Sequence, residues 1–281
     1  MDFWNQFKRD RLAVIGAVIV AIFVIVSIAA PVIAPYSPTE QFVEGLSLQG
    51  SPLPPSSQFW LGTDLLGRDL FTRLLYGARV SLLVGVVANA IAVLLGITLG
   101  AIAGFVRGFV GEAIMRFTDL MMAFPALLLA IALAAILRPS LWIVAMVIAL
   151  VNWVQIARVV YSQVSVLVEQ EHIQAARSLG ATRFQILWWH IVPHLIPTAL
   201  VWGTLGISTT VLQEATLSFL GVGVQPPTPS WGGIINESQS FLQSAPWLII
   251  FPGISILIVS LAFNLVGDGV RDAVDPTERG R

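Results

Sequence analysis

From Leu12 to Ala34 the chain runs for 23 residues without a charged side chain, and that run decides the medium in which the rest must fold. A helix crossing the hydrocarbon core needs about 20 predominantly apolar residues, and inside lipid the helix must satisfy its own backbone polar groups. Val80–Val106, Leu120–Leu137, Leu141–Ala157, Leu195–Gly221 and Trp247–Val266 meet or approach that requirement, the fourth span being the shortest. Charged residues are 11% of the chain and hydrophobic ones 56%, whereas a soluble domain carries about a quarter charged. The expected class is therefore an all-α integral membrane protein with six transmembrane helices. MDFWNQFKRDR precedes the first run and no small-residue cleavage site follows it, so the run reads as a retained signal-anchor span.

Basic residues set the orientation. With the N-terminus inside, Lys8, Arg9, Arg11, Arg107, Arg116, Arg158, Arg177, Arg183, Arg271, Arg279 and Arg281 face the cytoplasm, and only Arg68, Arg73, Arg79 and Arg138 lie outside. That asymmetry predicts both termini cytoplasmic. Three regions follow: 1–34, the N-terminus and first span; 35–79, an outer loop; and 80–281, the core, with a cytoplasmic loop at 162–194 and a cytoplasmic tail. The net charge of −1 gives no sign of nucleic acid as a partner, and the absence of cysteine removes disulfide and thiol chemistry.

The outer loop has two parts. Pro35, Pro38, Pro52, Pro54 and Pro55 predict extended chain. From Thr63 the pattern changes: Thr63 or Asp64 can cap a helix, Asp64/Arg68 and Asp69/Arg73 are i,i+4 pairs, and Leu66, Leu70 and Leu74 share a face. This predicts an amphipathic helix at the outer surface, serving either to position the second span or to gate the solute.

Within the spans, Gly96, Gly100 and Gly104 recur every four residues, as do Ala13, Ala17 and Ala21. Such faces allow close helix approach, within the subunit or across a dimer interface. Pro125, Pro193 and Pro197 should bend or end helices. Glu214 is the one acid well inside an apolar span, in a polar stretch with Thr210, Gln213 and Ser218. A carboxylate there must face other helices or the solute pathway. The reading preferred is a structural or interface bond, then pathway lining, then proton coupling. Arg116 and Asp119 can pair on one face and brace the cytoplasmic loop. His172, His190 and His194 are not expected to bind a metal, because Pro193 disrupts the turn between the last two and no carboxylate adjoins them.

Catalysis is not expected. Lys8 is the single lysine, so no phosphate-binding Gly-x-x-x-x-Gly-Lys-Ser/Thr loop exists; Gly-x-Ser-x-Gly and His-Glu-x-x-His are also missing. No cofactor is called for. The ordered cytoplasmic segment Glu169–Pro197 instead implies a protein partner: one helical turn around Gln174, Ala175 and Ala176, a corner at Gly180, then a second amphipathic run from Phe184 to His190.

That segment, HIQAARSLGATRFQILWWHIVPHLIP, resembles the cytoplasmic coupling loop of ABC importer permeases, whose motif reads Glu-Ala-Ala, three residues, Gly. Further pieces in order are FWNQFKRDRLAVIG, LGTDLLGRDLFTRLLYGARVSL, RFTDLMMAFPALLLAI, EATLSFLGVGVQPPTPSWG and PGISILIVSLAFNLVGDGVRDAVDP. Together these are similar to the second, "C"-type permease of dipeptide, oligopeptide and nickel importers. The resemblance implies a type I importer permease fold in the bacterial inner membrane. It also implies a second homologous permease, two ATPase subunits that hydrolyse the ATP, and an extracytoplasmic substrate-binding protein. The helix near Glu171 to Ala181 would dock on the ATPase, with Glu171, Gln174, Ala175, Ala176, Arg177, Gly180 and Ala181 as coupling residues. Gln174 departs from the family's Glu and puts an ionic contact there in doubt. The implied cargo is a di- or oligopeptide, with a nickel chelate or glutathione as alternatives. A proton-coupled secondary transporter using Glu214 is the competing reading, though no inverted repeat supports it.

Overall fold

The computed structural model describes residues 3–106, 108–137 and 140–274. Arg107, Arg138, Arg279 and Arg281, counted above for orientation, and the end of the tail motif lie outside the described residues. Every regular element described is helical, with two isolated bridges, Leu46↔Pro52 and Thr63↔Asp69. In chain order the helices are α1 (Phe3–Phe7), α2 (Arg11–Ile33), α3 (Leu70–Val106), α4 (Phe109–Met122), α5 (Ala126–Ile136), α6 (Leu141–Leu167), α7 (Glu171–Ser178), α8 (Arg183–Gln185), α9 (Val192–Phe219), α10 (Trp231–Ser238) and α11 (Trp247–Val274).

Among the described residues, five helices are long and apolar enough to cross a membrane, or six if α4 and α5 count as one broken span. These two meet at 89°, with Pro125 as the residue before α5. The third span, Leu120–Leu137, is therefore two pieces, broken at Pro125, the residue expected to bend or end it. Proline supplies no backbone donor there, and α5 alone has 11 residues, about 16 Å of helix.

The helix expected from Thr63 is a correction. Residues Thr63 to Asp69 form a closed turn in which the Asp64 N–H donates to the Arg68 carbonyl at 2.9 Å and the Leu70 N–H to the Gly62 carbonyl at 3.0 Å. Gly62 and Gly67 have φ of 85° and 70°, a left-handed backbone that ends helical propagation. The cap moves to Asp69, whose carboxylate accepts the Thr72 N–H at 2.8 Å. Burial raises the Asp69 carboxyl above its ordinary range, opposed by the hydrogen bonds from Thr72 and Phe71. From Leu70 the chain is one helix of 37 residues, about 55 Å long. Leu70 and Leu74 are buried in the bundle and Leu66 is exposed, so the three do not form one surface face.

α6 is the most enclosed span and packs along α3. The glycine stripe serves that contact. A Cβ on Gly96 would lie 2.6 Å from the Ile156 Cβ, on Gly100 2.5 Å from the Ala157 carbonyl oxygen, and on Gly104 2.9 Å from the Val164 Cβ. Ala13 is fully buried where α2 crosses α11 at Gly269, and Gly16 abuts Ala262 and Leu265. The glycine face is thus consumed within the subunit, whereas the alanine face is buried at Ala13, half-buried at Ala17 and exposed at Ala21. Successive spans alternate in direction, which puts the 34–69 loop and α10 at one end of the bundle and α7 with α1 at the other.

Pro193 lies in the first turn of α9 and Pro197 inside it, and neither ends the helical run. α8 runs through a wide π turn, Ile186–Ile191, directly into α9. There the Val192 N–H reaches back five residues to the Leu187 carbonyl, so the ladder has already shifted before Pro193 withholds its donor.

Candidate functional site

The segment after α6 is a braced corner. Ile173 is the buried residue of α7 and packs with Val168, Ile186 and Ile191 among the ends of the long helices. After α7 the Gly180 N–H donates to the Arg177 carbonyl and the Ala181 N–H to the Ala176 carbonyl, each at 3.1 Å. With φ of 87° at Gly180 this is a Schellman termination, closing two carbonyls that would otherwise lack partners. Two residues later Thr182 opens α8 with a capping box: its hydroxyl accepts the Gln185 N–H at 3.2 Å, while the Gln185 side chain accepts the Thr182 N–H at 2.8 Å.

Around this corner Glu171, Gln174, Ala175, Arg177 and Gly180 are exposed, while Ala176 and Ala181 are half-buried. Gln174 has a partner of its own. Its amide donates to the Val168 carbonyl at the end of α6, at 3.4 Å. A glutamate could not make that bond at neutral pH, and it would set a negative charge against the carbonyl end of a helix. Arg177 sits one turn beyond Ile173 and lines a cavity beneath α7 together with Arg183.

Asp119 does not pair with Arg116. It bonds Arg158, joining α4 to α6, and Arg116 is exposed. Both partners are about 40% exposed, so the pair contributes little to stability. The rings of His190 and His194 lie within 6.3 Å of His172, and His194 Nδ1 bonds the His190 carbonyl at 2.7 Å, which directs that nitrogen into the backbone.

The polar residues of α9 form a ladder to the neighbouring helices. Thr198 donates to Gln163 of α6 at 2.9 Å. Asn89 of α3 donates to the Gly203 carbonyl at 2.9 Å. Thr210 donates to the Gly85 carbonyl of α3 at 2.8 Å, and Gln213 exchanges bonds with Asn152 of α6 at 2.7 and 3.1 Å. Glu214 is wholly buried and accepts from Ser218 at 2.8 Å, with the Ser81 and Ser230 hydroxyls also bearing on its carboxylate. Each of those three serines accepts a backbone N–H: Val224 to Ser218, Trp231 to Ser81, and Gly233 to Ser230. Their hydroxyls surround the carboxylate where α3, α9 and the start of α10 meet, although Oε1 alone accepts a hydrogen bond, from Ser218, and the buried Oε2 has no partner among the described residues. Thr210 and Glu214 are thus turned into the helix packing, and Ser218 borders a small cavity of about 30 Å³ beside Ser230 and Glu237.

A second polar fastener lies beside it. Arg68 Nε meets Asp64 at 2.6 Å, Arg68 Nη2 and Arg73 Nη2 meet Glu237 at 2.9 Å, and Arg73 Nε lies 3.3 Å from Asp64. This four-member ring ties the loop, α3 and α10. The expected Asp69/Arg73 pair is not formed, because Asp69 caps α3. Sequence reasoning missed Glu237, Asn89, Asn152 and Arg158. Lone amides within apolar runs were the available signal for the two asparagines; nothing local marked Glu237. An open cleft of about 580 Å³ runs between α6, α9 and α11 and is edged by Gln163, Thr198, Trp202, Thr209 and Arg271.

Against this geometry the similarities are specific. Residues 96–280 match the family described as binding-protein-dependent transport system inner membrane component, and residues 1–55 match the N-terminal TM domain of oligopeptide transport permease C. The dipeptide transport system permease protein DppC of Alkalihalophilus pseudofirmus is 45% identical, covering 98% of this chain and 89% of the relative. DppC of Escherichia coli strain K12 is 46% identical over 98% of the chain and 92% of the relative. The glutathione transport system permease protein GsiD of Shigella flexneri is 44% identical, over 99% and 91%. In fold, the chain resembles a structure of the MetNI methionine ABC transporter in inward-facing conformations. The TM-score is 0.59 at 19% identity, covering 72% of this chain and 96% of that one.

Proposed function

The chain belongs to the binding-protein-dependent transport system inner membrane components, and from that membership we propose that it forms half of the pathway by which an ATP-driven importer moves peptides. The second half would be a homologous permease, the energy would come from two ATPase subunits on other chains, and an extracytoplasmic binding protein would deliver the cargo. Di- or oligopeptides are the preferred cargo and glutathione the nearest alternative, following the relatives' names.

The observation that carries the coupling assignment is the construction of α7. Ile173 holds it to the bundle, the Gly180 termination and the Thr182 box fix both sides of its corner, and its outer residues are free to meet a partner. A helix held this way transmits a displacement to α9 without unfolding. In this reading α7 and both termini face the cytoplasm, in keeping with Lys8, Arg9, Arg11, Arg177 and Arg183 at that end. Glu171, Gln174, Ala175, Ala176, Gly180 and Ala181 shape the docking corner, and Gln174 contributes by bracing α7 on α6 rather than by charge.

The polar residues of α9 are assigned to fastening the helices. The pathway is assigned to the open cleft edged by Gln163, Thr198 and Thr209, which a second permease would close. The proton-coupled alternative loses its footing because Glu214 is enclosed by serine hydroxyls and helix backbone.

The test is reconstitution of the chain with its genomic-neighbour permease, ATPases and binding protein in proteoliposomes. ATP-dependent uptake of a labelled dipeptide, competed by other short peptides, is expected. Uptake by this chain alone, driven by a pH gradient, would overturn the assignment.

A further inference from the structure

The cavity beneath α7 has, apart from Ala181, a lining that the docking function does not use. It encloses about 300 Å³ between the ends of α3 and α6 and the corner of the coupling segment. Arg177 and Arg183 supply its charge, and Phe105, Val106, Val168 and Ile186 supply its walls. Neither arginine has an acidic partner among the described residues. Both side chains are exposed, and an anion held between two guanidinium groups that share a cavity gains charge-assisted hydrogen bonds from each.

We propose that this cavity binds the headgroup phosphate of an anionic phospholipid, with Arg177 and Arg183 as the ligating residues. The inference rests on the reading that this end of the bundle lies at the cytoplasmic membrane surface. Three features favour a lipid over a protein carboxylate or a free anion. The walls are the last turns of two spanning helices, where hydrocarbon gives way to headgroups. Arg177 follows the buried Ile173 by one turn, so although exposed it leaves α7 on the side of the helix that turns toward the cavity. Phe184, Trp188 and Trp189, 70%, 52% and 78% exposed, follow directly in the chain and present the aromatic surface that membrane interfaces favour. Basic pockets between spanning helices on the cytoplasmic side are suited to such headgroups.

The test uses the intact transporter complex in nanodiscs of mixed phosphatidylglycerol and phosphatidylcholine, with retained lipid counted by native mass spectrometry. Selective retention of phosphatidylglycerol is expected, and the double variant Arg177→Gln/Arg183→Gln should lower that selectivity by on the order of tenfold or more. Val106→Trp, which fills the cavity and keeps both charges, should lower it as well. Selectivity unchanged in both variants overturns the site. Displacement by soluble glycerol phosphate as effective as by added phosphatidylglycerol also overturns it, since a free anion would then suffice. Loss of the ATPase from the double variant with lipid selectivity intact assigns the arginines to the protein partner and overturns it too. If the wild-type chain never associates with an ATPase yet shows arginine-dependent lipid selectivity, the coupling assignment falls and the lipid site stands.

Discussion

Arg73 and Glu237 lie 164 positions apart and meet at 2.9 Å, closing a ring of two arginines and two acids at the base of α10. The arginine is 1% exposed and the glutamate 25%. The contact joins the first turn of the longest helix to a short helix between two later spans.

Removing one member of that ring leaves charge without compensation. Glu237→Ala leaves two arginines sharing Asp64 as their one remaining acid among the described residues and is expected to destabilise the protein by about 3 kcal/mol, the lower end for a buried pair because Glu237 is partly solvated. Thermal unfolding of the detergent-purified protein checks this; a midpoint within one degree of wild type would contradict it.

The glycine stripe makes a positional prediction. Gly100→Leu should cost about 1–3 kcal/mol or prevent folding, because its Cβ alone would contact the Ala157 carbonyl oxygen at 2.5 Å. Gly253→Ala, in α11 with open space around it, should be neutral or gain up to about 1 kcal/mol. Equal stability of the two variants would refute the packing role.

Gly180→Pro is expected to abolish transport while membrane insertion persists, since proline cannot adopt a φ of 87°. A bulky residue at Ala176 should have the same effect, and Gly180→Asn should retain most activity because asparagine tolerates that region. Insertion is read by membrane fractionation and transport by dipeptide uptake.

Gln174→Glu restores the family's usual residue but removes the bond to the Val168 carbonyl. A loss of roughly 0.5–1 kcal/mol in stability is expected, with uptake maintained. Uptake rising several-fold at unchanged stability would instead mean that an ionic docking contact had been regained.

Glu214→Gln keeps an acceptor for the surrounding hydroxyls and should sustain ATP-driven uptake. Glu214→Leu leaves those hydroxyls without an acceptor and should destabilise by about 1–3 kcal/mol. Uptake abolished by the glutamine variant at normal protein levels would reopen the proton-coupling reading.

Hydropathy located the spans, since an uncharged run such as Leu12–Ala34 has few alternatives in lipid. The corner at Gly180 was legible because its signal is local, a glycine after a short helix, whereas the Thr182-x-x-Gln185 start, equally local, was missed. The segment from Thr63 misled for the opposite reason. Its i,i+4 charge pairs have helical spacing, but Arg68 and Arg73 are held by Glu237, far away in sequence, and Gly62 and Gly67 impose the turn. Glu214 was recognisable as exceptional, yet its bonding role depends on serines from α3 and the α10 start. The Arg116–Asp119 pair failed likewise, as Arg158 of α6 reaches Asp119 across helices.

The wide turn at Ile186–Ile191 has an azimuthal consequence. A π turn accommodates one residue more than the regular helix, and each residue advances the helix by about 100°. Thr198, Thr210 and Gln213 therefore point in directions offset by roughly that angle from those a regular helix starting at Thr182 would give them. The compass bearing of the whole α9 ladder is set six residues upstream of Thr198 or earlier, beside the corner where a partner would push.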